Sequence, residues 1–150
     1  MKLAEALILR ADLQTRMEQL RERLRDNALC QEGEKPAESP AALLRELESL
    51  SSQLEELISR INLTNASVRK DGKTLTELLA RREVLAKRIS ILQTLLETAS
   101  RTVLRGSRTE VKILPAVDVK ALRRQADSMA QELRRLDTAI QSRNWLEELQ

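Results

Sequence analysis

Residues 40–69 read PAALLRELESLSSQLEELISRINLTNASVR, a stretch with the repeat of a long amphipathic helix. Leu43, Leu47, Leu50, Leu54, Leu57, Ile61, Thr64 and Val68 recur at alternating steps of four and three. A mean step near 3.5 residues keeps one face of an α-helix turned toward partner helices. Ser39 before Pro40 reads as an N-cap and first helical residue, because proline gives up an amide that would be unpaired there anyway. The helix is expected to run from Pro40 to about Arg69, where Asp71-Gly72 supplies a tight turn.

The same stripe appears on both sides of this segment. Upstream it is Leu3, Ala6, Arg10, Leu13, Met17, Leu20 and Leu24, which predicts a helix from about Leu3 to Cys30. Downstream it is Leu75, Leu78, Arg82, Leu85, Ile89, Leu92, Leu96, Ala99 and Val103, a helix from Thr74 to about Leu104. Thr74 with Glu77 has the pattern of a capping box. The last stripe is Val119, Leu122, Ala126, Met129, Leu133, Leu136 and Ile140, a helix from Asp118, a good N-cap, to about Leu149. Between the last two helices, Val111 and Ile113 alternate with Lys112 in a segment rich in β-branched residues. A short extended stretch near 105–115, with Gly106-Ser107 as a turn, is expected there. Helices of this size span roughly 42–48 Å at 1.5 Å per residue. The predicted fold class is all-α, with long antiparallel helices in a single domain, 1–150. A four-helix bundle or paired helical hairpins would both satisfy the pattern.

Composition narrows the function classes. The chain has 28 leucines, no Phe or Tyr and one tryptophan, so its interior is aliphatic. A leucine interior packs readily but specifies helix register poorly, and polar residues must supply the alignment. The net charge of +3 is weak for a nucleic-acid binder, and stacking aromatics are absent, so no nucleic-acid partner is expected. Most charges alternate in sign, as on solvated helix faces. The single cysteine, Cys30, allows no intrachain disulfide and fits a reducing compartment. The apolar run Ala6–Leu9 is too short for a secretory core, and no stretch reaches the ~20 apolar residues of a membrane span. No helix pairs a wide apolar face with a Lys-rich, aromatic-flanked one, so membrane binding is not expected either. The expected location is the cytoplasm.

Catalytic constellations are missing. Without histidine there is no Glu-x-x-His metal site and no Ser-His or Cys-His pair. Each of the three glycines stands alone in a connector, so no phosphate loop exists. No metal, cofactor or enzymatic activity is expected.

The informative positions are those where polar residues break the stripes. Arg10 and Arg82 stand where leucine is expected, Thr64 is flanked by Asn62 and Asn65, and Asn144 extends the last stripe. Asn62 and Arg82 lie equally far from Gly72, which sets them level at about 15 Å from the turn. By the same arithmetic Arg82 levels with Ile140, Leu78 with Asn144, Arg10 with Arg60 and Glu5 with Asn65. Glu5, Arg10, Asn62, Asn65, Arg82 and Asn144 are therefore expected to converge near one end of the helices. Buried guanidiniums need carboxylates or amide oxygens. Such a layer would fix helix register, as a buried Asn does in coiled coils, or grip a small anion between its arginines. An exposed cluster at an oligomer interface is the third alternative.

Several short motifs resemble the septicolysin-like family of small bacterial helical proteins. They are Leu3-Ala4-Glu5-Ala6-Leu7, Arg10-Ala11-Asp12-Leu13-Gln14, Ile61-Asn62 with Thr64-Asn65, and Gly72-Lys73-Thr74-Leu75. Others are Arg81-Arg82, Glu110-Val111-Lys112, Val117-Asp118-Val119, and Ile140-Gln141 with Asn144-Trp145. The resemblance covers essentially the whole chain and implies a membrane-active, pore-forming cytolysin. The residues themselves point first to a non-enzymatic, self-associating helical protein, a homo-oligomer whose polar layer sets register or binds a small anion.

Overall fold

The computed structural model describes residues 1–101 and 113–150. Among them are four helices: α1 (Leu3–Asp26), α2 (Pro40–Ser67), α3 (Leu75–Ala99) and α4 (Val119–Leu146). Two dipeptide strands, β1 (Arg69–Lys70) and β2 (Lys73–Thr74), complete the described structure. The fold is all-α.

Local chemistry explains the helix ends. Ser39 Oγ accepts the Ala42 amide at 3.4 Å, and Pro40 opens α2 as predicted. Asp118 Oδ1 accepts the Ala121 amide at 3.0 Å and starts α4. α1 stops at Asp26, four residues before Cys30, because Asn27 takes over the hydrogen bonding. Its side-chain amide donates to Arg23 O at 2.8 Å, and its oxygen accepts Glu38 N–H at 2.8 Å. Arg23 then grips Glu38 with two nitrogens, at 2.6 and 3.0 Å, which ties the end of α1 to the start of α2. The Arg23 hydrogen bonds hold the Glu38 carboxyl below the usual carboxylate range.

Asp71 and Gly72 do more than end α2. Both have positive φ, 52° and 77°, the conformation a two-residue hairpin turn of the right twist requires. Arg69 therefore pairs with Thr74 and Lys70 with Lys73 in an antiparallel hairpin. α3 ends at Ala99, short of the expected Leu104, which lies outside the described residues, as does most of the extended segment expected near 105–115. Ile113–Pro115, at its end, carry no regular structure.

The chain divides into two compact units. The first contains Met1–Thr74 with Ser142–Gln150, and the second Leu75–Gln141. In the first, Leu3, Ala6, Leu13 and Leu20 of α1 are buried with Leu43, Leu50, Leu57 and Ile61 of α2. Leu9 and Leu13 line one cavity with Leu57 and Arg60, which is the level that the loop arithmetic assigned to Arg10 and Arg60. In the second, Leu85, Ile89 and Met129 form a small core, with Leu92, Ala130 and Leu133 packed against it.

Candidate functional site

The densest polar chemistry lies in the first unit, where the last turn of α4 and residues 147–150 meet α1, α2 and the small hairpin. Arg143 is 4% exposed. Its Nη2 donates to Val68 O at 2.8 Å and its Nη1 to Lys73 O at 2.9 Å, one carbonyl on each side of Asp71-Gly72. The Arg143 fork thus clasps the hairpin that follows α2. Nε makes no hydrogen bond, but it lies 3.4 Å from Glu147 Oε1, so the charge is balanced without an aligned bond.

Beside this clasp the two ends of the chain run antiparallel. Leu3 N–H donates to Glu147 O at 3.0 Å and Leu149 N–H to Met1 O at 2.9 Å. Glu148 accepts Lys2 Nζ at 2.5 Å and the Met1 amine at 3.3 Å, and these hydrogen bonds hold its carboxyl below the usual range. Gln150 is anchored on α2: Arg60 Nε donates to its carbonyl at 2.7 Å, and its amide donates to Thr64 Oγ1 at 3.0 Å. Thr64 is fully buried and also donates to Arg60 O, at 2.8 Å. The polar position in the α2 stripe is thus used to hold residue 150. This cluster contains no nucleophile paired with a base. Its geometry fastens helices together.

The six residues expected in one polar layer sit in different surroundings. Glu5 is exposed and accepts the Lys2 amide at 2.7 Å, so it caps α1. Arg10 is half-buried and makes no ion pair among the described residues. Asn62 is exposed on the wall of an open groove, and Asn65 is half-buried on the same helix. Asn144 is buried next to Arg143. Arg82 belongs to the second unit, where it is half exposed and pairs with Asp137 at 2.6 Å. That partner lies three residues before Ile140, the level expected for Arg82. The guanidinium reaches solvent and a surface carboxylate there and needs no buried acceptor. The expected buried arginine pair is therefore not what Arg82 forms.

Arg143 and Glu147 were legible in principle. The α4 stripe steps strictly by three and four through Leu133, Leu136 and Ile140; continued, the same alternation lands on Arg143 and then Glu147. A step of four from Ile140 reaches Asn144 instead. The pairing of the chain ends had no local signal.

The groove that includes Asn62 has a volume of about 550 Å³ and is lined by Met17 of α1 and by Ser51, Leu54, Glu55, Ile58, Ser59 and Asn62 of α2. Its floor is aliphatic and its walls are hydroxyl, amide and carboxylate. Among the described residues no group of three His, Cys, Asp or Glu is placed to hold a metal ion, and no helix is long and apolar enough to cross a membrane.

The profile of a family of unknown function, DUF6847, matches residues 10–149. A crystal structure described as that of a functionally unknown conserved protein from Corynebacterium diphtheriae is 40% identical to this chain. The alignment covers all of this chain and 99% of that one, with a TM-score of 0.87. No curated protein matches the sequence.

Proposed function

The chain belongs to the DUF6847 family of unknown function, and on that footing we propose that it is a non-enzymatic, self-associating helical protein. One observation carries this reading. α3 buries Leu85 and Ile89, yet it leaves a second apolar row, Val84, Ile91 and Leu95, on an adjacent face. Val84 and Ile91 are each about 60% exposed. Steps of seven and four keep the three on one side of the helix. Covering such a row with another helix recovers roughly 2–5 kcal/mol per copy. The hydrogen-bonded clasp around Arg143 and the chain ends supports a structural role, since its groups hold elements together.

In this proposal the polar residues that interrupt the stripes act mainly in register. Thr64 and Arg143 fix α2, the hairpin and the end of α4 against one another. Arg10 is the residue left for a small anion, and stabilisation by added phosphate that vanishes in Arg10→Ala is what an anion role requires. The proposed location is the cytoplasm, where exposed Cys30 remains a thiol.

Light scattering on a sizing column tests the reading. The expected species at micromolar concentration is a multiple of 17.1 kDa. A 17 kDa particle at every concentration up to about 100 μM would reject it, because such an affinity would be weaker than ordinary specific assembly. The cytolysin reading implied by the septicolysin-like resemblance has its own readout: dose-dependent dye release from anionic liposomes. No release is expected, since the exposed apolar row of α3 lacks the flanking aromatics of interfacial helices.

A further inference from the structure

We propose that the α3 row of one copy seats in the α1/α2 groove of a second copy. The proposal rests on the self-association reading and names the two surfaces that carry it. Shape is the first reason. Val84 to Leu95 is eleven residue steps along α3, and Ser51 to Asn62, the α2 wall of the groove, is also eleven. Both are therefore about 16 Å long. The row is a convex line of Val84, Ile91 and Leu95. The groove offers a concave floor of Met17, Leu54 and Ile58, all half-buried.

Charge is the second reason. Lys87 and Arg88 stand between Val84 and Ile91, both exposed and neither in an ion pair among the described residues. On α2, Glu55 lies on the groove wall and Glu48 sits seven residues earlier, two helical turns along the same side. Both glutamates are exposed and likewise make no ion pair among the described residues. An apolar row that carries Arg88 within it and Lys87 at its edge thus has a matching groove with Glu55 on its wall and Glu48 beyond it. Neighbouring arginines of α3 are already engaged: Arg81 with Glu132 and Arg82 with Asp137. Lys87 and Arg88 are the ones left to select a partner, as flanking charges do in helix pairing.

The second copy is the occupant because this chain carries both complementary halves. Such an interface uses different patches on the two partners.

Charge reversal and its rescue test the proposal. Dissociation constants would be measured by sedimentation for the full chain, for Glu48→Lys with Glu55→Lys, for Lys87→Glu with Arg88→Glu, and for all four changes together. Each reversed pair is expected to weaken assembly about tenfold or more, and the combination to return within about threefold of the original. Ile91→Asp, at an exposed position that folding tolerates, should abolish assembly while leaving the helical circular dichroism unchanged. Three outcomes would overturn the proposal. One is a dissociation constant that neither reversal moves. Another is a combined variant as weak as, or weaker than, the reversed pairs. The third is assembly that survives Ile91→Asp. In each of these the protein would still self-associate, so the failure would be of the named surfaces. A chain monomeric before any substitution would instead sink the self-association reading itself.

Discussion

Arg143→Ala is the perturbation with the largest expected cost. The side chain is buried, and its two charge-assisted hydrogen bonds, at 2.8 and 2.9 Å, reach Val68 O and Lys73 O. Bonds to a charged group contribute about 1.5–3 kcal/mol each. Removing the guanidinium strands both carbonyls, leaves Glu147 without its cation and opens a void under α4. The expected loss is about 3–5 kcal/mol, the range for breaking a buried charged pair. For a protein of this length each kcal/mol moves the melting temperature by roughly 2–4 °C, so the shift should be about 10 °C. Arg143→Lys keeps the charge but replaces the planar fork by a point donor that reaches one carbonyl, and should lose about half as much. Trp145 stands two residues from Arg143, in the same unit, and is the only tryptophan. Its fluorescence in a urea titration therefore follows the unit in which the clasp lies, and the midpoint should fall with little change in slope. A melting shift below about 2 °C for Arg143→Ala would mean that water satisfies both carbonyls as well as the arginine does, and that the clasp contributes little to stability.

Two further outcomes follow from the ion pairs. Glu148 and Glu38 titrate below the ordinary carboxylate value in the folded chain. Their contribution to stability is therefore complete above the unfolded value of about 4.3 and is lost as pH falls through the lower folded value. Melting temperature should drop between pH 5 and pH 3, and the drop should be smaller in Glu148→Gln; equal drops in the two proteins would contradict the assignment. Arg82→Ala removes an exposed pair with Asp137 and should cost under about 1 kcal/mol, whereas a loss near that of Arg143→Ala would restore the buried arginine layer.

Most of the architecture could be read from local chemistry. Seven-residue spacing, Ser39-Pro40, Asp71-Gly72 and Asp118 marked four helices, and the loops before α2 and α3, to within a few residues. A helix signals its own caps and periodicity through neighbours in sequence. Even the interruption at Thr64 was visible, and Thr64 proved fully buried. The polar layer was less legible. Periodicity gives the direction in which a side chain leaves its helix, but not which direction another element covers. Arg82 and Arg143 both lie on apolar stripes, yet one pairs with a surface carboxylate and the other is sealed against two carbonyls.

Residues a few positions apart set the helices, their ends to within about five residues, and the aliphatic character of their faces. Tertiary packing selected which polar side chains are buried. Arg143 meets Val68 across 75 residues and Leu3 meets Glu147 across 144, and no local spacing encodes pairings so remote. It also decided that α3 keeps a second apolar row exposed. Leu85 and Ile89 took the face toward α4, and a helix turns only part of its circumference toward a neighbour, so Val84 and Ile91 stay about 60% exposed.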